Sequence, residues 1–266
     1  MTATQAWPGT VYLVGAGPGD PELLTLRAAR LLATADVVLH DDLVPAAVVS
    51  YAERALVINV GKRCGRKNIT QEQIHAMMVD YARRGMAVVR LKSGDPLVFG
   101  RAGEEMDALR SAGVPFEVVP GITAAFAAAA AVQSPLTDRR SAGSVQFSAG
   151  HHADRHAPEA LRTTSGATRV IYMPGRDLRA IAARLRAEGL AADLPCVLVS
   201  RAGQPEQQVV RTTLGELGSV TSLPAPTILL AGESLRAPKE ESVSGIGQFV
   251  TATDENQAPA LECGAD

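Results

Sequence analysis

From Val11 to Val119 short apolar runs alternate with helix-spaced segments, and a chain patterned this way has few ways to fold. Val11–Gly15 (VYLVG) is the first run and ends in glycines; Val37–His40, Leu56–Val60, Val88–Leu91 and Phe116–Val119 follow as candidate strands. Behind the first, Asp20 and Pro21 suit the N-cap and opening turn of a helix carrying Leu24, Ala28, Leu31 and Leu32 on one face. Thr70–Gln73 matches a capping box, Ile74, Met77, Met78 and Tyr81 continue at helical spacing, and Gly85 stands where that helix should stop. Strands alternating with helices pair in parallel, so the pattern predicts an α/β fold with a mostly parallel sheet covered on both faces. Ligands of such sheets bind in the crevice beyond the carboxyl ends of the strands.

The texture changes near Pro120-Gly121. Thr123–Val132 reads as a small-residue helix able to pack closely against another element. Further strands are expected at Val145–Ser148, Arg169–Met173, Cys196–Ser200, Gln207–Thr213 and Thr227–Ala231, with a helix over Leu178–Glu188 capped by Asp177 and stopped by Gly189. The short polar turn before Gln207 favours an antiparallel hairpin, hence a mixed second sheet. At 266 residues the chain exceeds a typical single domain. The expected organisation is a flexible N-terminus over 1–10, an N-terminal α/β domain over 11–120, a C-terminal α/β domain over 121–239, and a polar tail over 240–266 that is expected to be disordered.

Composition narrows the function classes. A hydrophobic fraction of 46% supports a sizeable core, while a net charge of −2 and 4% aromatics argue against a surface that tracks nucleic acid. The N-terminus MTATQAWPGT lacks the charged and apolar regions of a signal peptide, and the longest apolar stretch, Ile122–Val132, is about half a membrane span. Cys64, Cys196 and Cys263 are scattered and read as free thiols of a reducing compartment. The expectation is a soluble, cytoplasmic protein with no nucleic-acid or membrane partner. His151, His152 and His156 form a polar stretch without a third ligand at metal spacing, so a solvated loop is expected and no metal.

Two turns carry the chemistry. Gly15-Ala-Gly-Pro-Gly-Asp20 follows the first strand, but its GxGxG spacing and Pro18, which removes an amide donor, fit a dinucleotide cradle poorly. Gly94-Asp95-Pro96 follows the fourth strand, lets backbone approach a ligand and offers a carboxylate to hydroxyl or amine groups. Together they place two ligand-facing turns at carboxyl ends of one sheet.

VGAGPGDPELLTL, VGKR, LKSGDPLVFGR, GEE, VVPGITAA, SPLTDR and YM together resemble the tetrapyrrole methylase family, over about Val11 to Glu233, and within it the branch that C-methylates uroporphyrinogen III. The resemblance implies two α/β domains with the active-site cleft between them, S-adenosyl-L-methionine as cofactor (leaving as S-adenosyl-L-homocysteine), a tetrapyrrole substrate and a homodimer. It places Pro18, Ser93, Gly94, Asp95, Val98, Thr123, Ala124, Met173 and Ala202 at the cofactor. It implies acid–base roles for Asp41 and Lys62, and substrate-site roles for Arg101, Glu104 and Arg139; Arg101 is also a candidate for removing a proton, and the two assignments compete. Ser93, Asp42, Asp138 and Ala102 depart from the branch pattern.

The residue types suit that chemistry. A macrocycle with eight carboxylates needs cations, and Lys62, Arg63, Arg66, Lys67, Arg101, Arg139 and Arg140 supply them. Arginine grips a carboxylate through two parallel bonds, although any one member of a basic run is as readily a solvated residue. Methyl transfer to a pyrrole carbon leaves positive charge on the ring nitrogen, which Asp41 could stabilise or relieve by accepting a proton. The implied reaction is methylation through precorrin-1 to precorrin-2. A methylase acting on a later cobalamin precursor, on RNA or on a modified histidine, a non-catalytic tetrapyrrole-binding protein and a hydride-transferring dehydrogenase are the alternatives. No separate N-terminal dehydrogenase–ferrochelatase module is seen, so a single activity is expected.

Overall fold

The structure is a computed structural model that describes residues 6–61, 69–150 and 166–236. All of them fall in one compact unit ending at Arg236. Lys62, Arg63, Cys64, Arg66, Lys67, the three histidines after Gly150, Cys263 and the 240–266 tail lie outside the described residues.

The first sheet contains β1 (Val11–Gly15), β2 (Val37–His40), β3 (Leu56–Asn59), β4 (Val88–Lys92) and β5 (Phe116–Val119) in the order β3-β2-β4-β1-β5. Every pairing is parallel. Alternate residues of β1, β2, β4 and β5 feed two cores. Tyr12, Val14, Val38, Val89 and Leu91 pack with Leu31 and Leu32 of α1 (Leu26–Thr34) and Val48 of α2 (Ala46–Val49). Val11, Leu13, Val37, Leu39 and Val88 pack with Ile74 and Met78 of α3 (Gln71–Arg83) and Leu109 of α4 (Ala102–Ser111). The neighbours β1 and β4 therefore send their chains to opposite faces, and a crevice opens at their carboxyl ends.

The second sheet contains β6 (Ser144–Ala149), β7 (Ala167–Tyr172), β8 (Pro195–Ser200), β9 (Gln208–Thr213) and β10 (Thr227–Ala231) in the order β6-β7-β10-β8-β9. Only β6 and β7 are parallel; the remaining pairs, including the β8–β9 hairpin, are antiparallel. One face packs on the alanines of α5 (Ala124–Ala131), the other on Leu178, Ile181 and Leu185 of α6 (Leu178–Ala187). Both sheets match the α/β reading. The expected boundary near residue 120 falls in the link between β5 and α5.

Local signals act where the sequence places them, with exceptions. The Thr70 capping box forms with both bonds, and Asp177 accepts from the Ala180 amide. Asp20, however, caps only a single 3-10 turn over Pro21–Leu23. Helix α1 begins later, because Leu24 is extended and Thr25 is the residue whose side chain accepts from the Ala28 amide. Helix α4 has no side-chain cap, and its entry residue Arg101 is left-handed with φ 56°. Strand β3 lies at the sheet edge with Leu56 and Val57 exposed.

Candidate functional site

Three turns meet at the carboxyl ends of β1, β4 and β5. Gly17 and Gly94 exchange backbone hydrogen bonds of 3.2 and 2.7 Å, tying the two glycine-bearing loops together. A Cβ on Gly15 would stand 2.6 Å from Gly121 Cα and 2.7 Å from the Gly94 carbonyl oxygen, and one on Gly121 2.4 Å from that oxygen, so both positions must lack one. At Gly94 the demand is conformational: φ is 68° and the nearest atom to a Cβ would be 3.8 Å away.

These turns floor one wall of a cavity of about 810 Å³, a volume suited to a nucleoside-sized ligand. All nine residues assigned to the cofactor by resemblance line it: Pro18 and Ser93, Gly94, Asp95 and Val98 from the first sheet's loops, Thr123 and Ala124 from the start of α5, and Met173 and Ala202 from the ends of β7 and β8. Most of the lining is aliphatic, which excludes water, and Pro18 accepts a 3.0 Å hydrogen bond at its carbonyl from Gln204 of the β8–β9 turn.

The polar groups have particular employment. Asp95 lines the cavity, and its two oxygens accept from the Leu97 amide at 2.8 Å and the Gly121 amide at 3.0 Å, which ties the β4 turn to the β5–α5 link. Thr123 stands at the N-cap of α5 without capping it, because its hydroxyl lies 2.5 Å from the Tyr172 hydroxyl. Burial raises the Tyr172 phenol above its ordinary value, against that hydrogen bond, so it stays neutral.

Among the described residues, the four assigned to substrate and acid–base chemistry, Asp41, Arg101, Glu104 and Arg139, do not line this cavity. Asp41, the first residue after β2, is ion-paired with Arg90. Arg101 and Glu104 form a two-bond pair at 2.8 and 2.6 Å, each about half exposed, and that contact raises the guanidinium and lowers the carboxyl. Arg139 is exposed. Asp138 holds Arg140 through its Nε, Nη2 and backbone amide, and is lowered to about 2 chiefly by the Arg140 side chain. Leu43 and Phe99, each two residues along the chain from Asp41 and Arg101, do line the cavity.

Sequence reasoning overlooked Leu43, Phe99, Tyr172, Arg176, Val199 and the stretch 222–228, all of which line the cavity. Apolar loop residues carry no signal of this kind. A readable signal was missed at β4: Arg90 and Lys92 alternate inside an otherwise apolar strand, and a charge there demands a buried partner. Among the described residues no group of three or more His, Cys, Asp or Glu side chains could hold a metal ion, and no helix is long and apolar enough to cross a membrane.

Comparison with known proteins fits this geometry. Residues 10–218 match the family model described as Tetrapyrrole (Corrin/Porphyrin) Methylases. A siroheme synthase of Azotobacter vinelandii is 47% identical over 234 residues, covering 86% of this chain and 50% of that protein, and one of Hahella chejuensis is 46% identical over 85% and 49%. The chain thus spans about half the length of these curated relatives. Among solved structures, uroporphyrin-III C-methyltransferase from Thermus thermophilus complexed with S-adenyl homocysteine superposes with TM-score 0.74 at 41% identity, covering 85% of this chain and 98% of that one. A cobalt precorrin-4 methyltransferase of cobalamin biosynthesis superposes with TM-score 0.73 at 29% identity, over 86% and 97%. With the family model matched over residues 10–218, a relative 47% identical and a solved structure superposing with TM-score 0.74, the chain belongs to the tetrapyrrole methylases.

Proposed function

We propose that this chain is an S-adenosyl-L-methionine-dependent methyltransferase that C-methylates uroporphyrinogen III through precorrin-1 to precorrin-2, serving sirohaem- or cobalamin-type synthesis. One observation carries the reading: the nine residues assigned to the cofactor from sequence, scattered from Pro18 to Ala202, fall on a single cavity. Its volume and aliphatic lining fit the nucleoside of the cofactor, and the bare backbone at Gly94 fits a close approach. The bound sulfonium supplies the activated methyl group, so the protein's work is alignment and electrostatics.

Pro18, Val98, Val199 and Ala202 exclude water from the cavity, while Thr123 and Tyr172 hold its floor. Arg101 and Arg139, with Lys62 and Arg63, grip the acetate and propionate arms of the substrate; Glu104 holds the Arg101 fork in a defined orientation. Asp41 faces the positive charge that develops on the pyrrole nitrogen. The reading treats residues 11–120 and 121–239 as two lobes around the cleft, and takes the protein as a cytoplasmic homodimer, which light scattering of the purified chain tests.

Incubation with S-adenosyl-L-methionine and uroporphyrinogen III should yield precorrin-2, seen by the absorption of its oxidised form, together with S-adenosyl-L-homocysteine. Asp41→Asn and Arg101→Ala should each lower turnover by about 100-fold or more while cofactor affinity changes by less than about threefold. Wild-type turnover in both variants removes them from the mechanism. The similar TM-score of the precorrin-4 enzyme supports one second reading, methylation of a later cobalamin precursor. Turnover of such a precursor, with none of uroporphyrinogen III, would select it.

A further inference from the structure

Two cations lie inside the first sheet's core. Arg90 and Lys92 project from the central strand β4 toward the α3–α4 layer, and both are buried. Charges in such a layer persist only with partners. Glu105 of α4, wholly buried, accepts from Arg90 Nε at 3.0 Å, from Lys92 Nζ at 2.9 Å and from Gln71 Nε2 at 3.2 Å. Arg90 Nη1 donates to the carbonyls of Leu39 at 3.2 Å and Leu91 at 3.3 Å, which hold the guanidinium plane between the ends of β2 and β4. Nη2 then reaches the Asp41 carboxylate.

The result is a chain of alternating charge, Lys92–Glu105–Arg90–Asp41, that passes from three buried members to the more exposed Asp41 at the carboxyl edge of the sheet, where Lys92 also ends β4. Its first three members have side chains at most 3% exposed; that of Asp41 is 31% exposed. If the only task were to hold α4 on the sheet, an apolar set of the same volume would serve as well or better. What an apolar set could not do is fix a carboxylate at the rim. Arginine's rigid fork does this, because Nε and Nη2 bind Glu105 and Asp41 at once.

We propose that Arg90, anchored by Glu105 and Lys92, is a positioning residue that holds the Asp41 carboxylate oriented at the substrate side of the cleft. The inference rests on the functional reading above. As a pyrrole carbon is alkylated, its ring nitrogen becomes positive before the macrocycle loses a proton. A carboxylate fixed in advance meets that charge without reorganisation.

The test uses four full-length proteins: wild type, Arg90→Lys, Asp41→Asn and the double variant. Lysine can still neutralise Glu105 but cannot fork to Asp41. With S-adenosyl-L-methionine and uroporphyrinogen III, Arg90→Lys should lower kcat by roughly 10- to 100-fold and leave the KM for S-adenosyl-L-methionine within about twofold. The double variant should be no slower than Asp41→Asn, because the two changes remove one device. Losses that multiply would overturn the proposal. Thermal unfolding of the same proteins needs no substrate: the Tm shifts should combine to less than their sum, and strict additivity overturns the proposal whatever the substrate is. A wild type silent toward uroporphyrinogen III, with non-additive Tm shifts, sinks the functional reading and supports the positioning role. Should Arg90→Lys fail to fold, Glu105→Gln replaces it in both readouts, with the same pattern expected and the same additivity overturning the idea.

Discussion

Replacing Gly121 by alanine tests whether close approach of three turns builds the cleft. The added Cβ would lie 2.4 Å from the Gly94 carbonyl oxygen and 2.8 Å from Gly15 Cα, both backbone atoms that cannot rotate away. Ordinary contact begins at 3.4 Å, so the β4 and β5 turns must part by the 1.0 Å difference. Overpacking of that kind costs about 1–3 kcal/mol. The Asp95–Gly121 hydrogen bond, 3.0 Å in the native chain, stretches with it and forfeits about 1 kcal/mol more. At about 2–4 °C per kcal/mol for a unit of this size, Tm should fall by about 5–15 °C. Because Gly94, Asp95, Thr123 and Ala124 all move, calorimetry should show S-adenosyl-L-homocysteine bound at least about tenfold more weakly, a loss of about 1.4 kcal/mol. Gly103→Ala is the control: nothing lies within 4 Å of a Cβ there, and alanine in helix α4 should add about 0.5–1 kcal/mol of stability. A Gly121→Ala protein with native Tm and native affinity would refute the packing argument.

Tyr172→Phe removes the partner of the buried Thr123 hydroxyl and should cost about 1–3 kcal/mol in urea unfolding; an unchanged midpoint would show that the hydroxyl finds another partner. Burial pushes the Cys196 thiol from 9.0 up to about 12, so the unfolded chain releases that proton first. Stability should therefore fall with rising pH across that interval, by about 1.4 kcal/mol per unit from this group, and Cys196→Ala should lack that part of the slope. Identical slopes in the two proteins would show that the thiol does not titrate differently on folding.

The strand ends and helix stops were readable because they follow from local causes. Alternation of Val, Leu and Tyr on β1 gives two buried faces, the Thr70 box satisfies two amides, and Gly85 and Gly189 take positive φ beyond their helices. Helix α1 shows the limit: Asp20 and Thr25 are both adequate caps, and which one starts the helix depends on where Leu24 must turn to pack against the core. The cofactor set was legible through resemblance, since its turns are contiguous motifs. Its cavity-mates Tyr172 and Val199 were not, because an apolar strand residue looks the same whether it faces core or ligand.

The residue order alone determined the parallel α/β lobe, the mixed second sheet, the glycine turns and the family. The tertiary structure alone decided that Asp95 braces two turns, that Thr123 turns to Tyr172 instead of capping its helix, that Arg90 and Lys92 share Glu105, and that Arg90 reaches Asp41. The division is physical: propensity and spacing act over a few neighbouring residues, whereas a buried charge or hydroxyl takes whichever partner the packing of distant segments brings within about 3 Å.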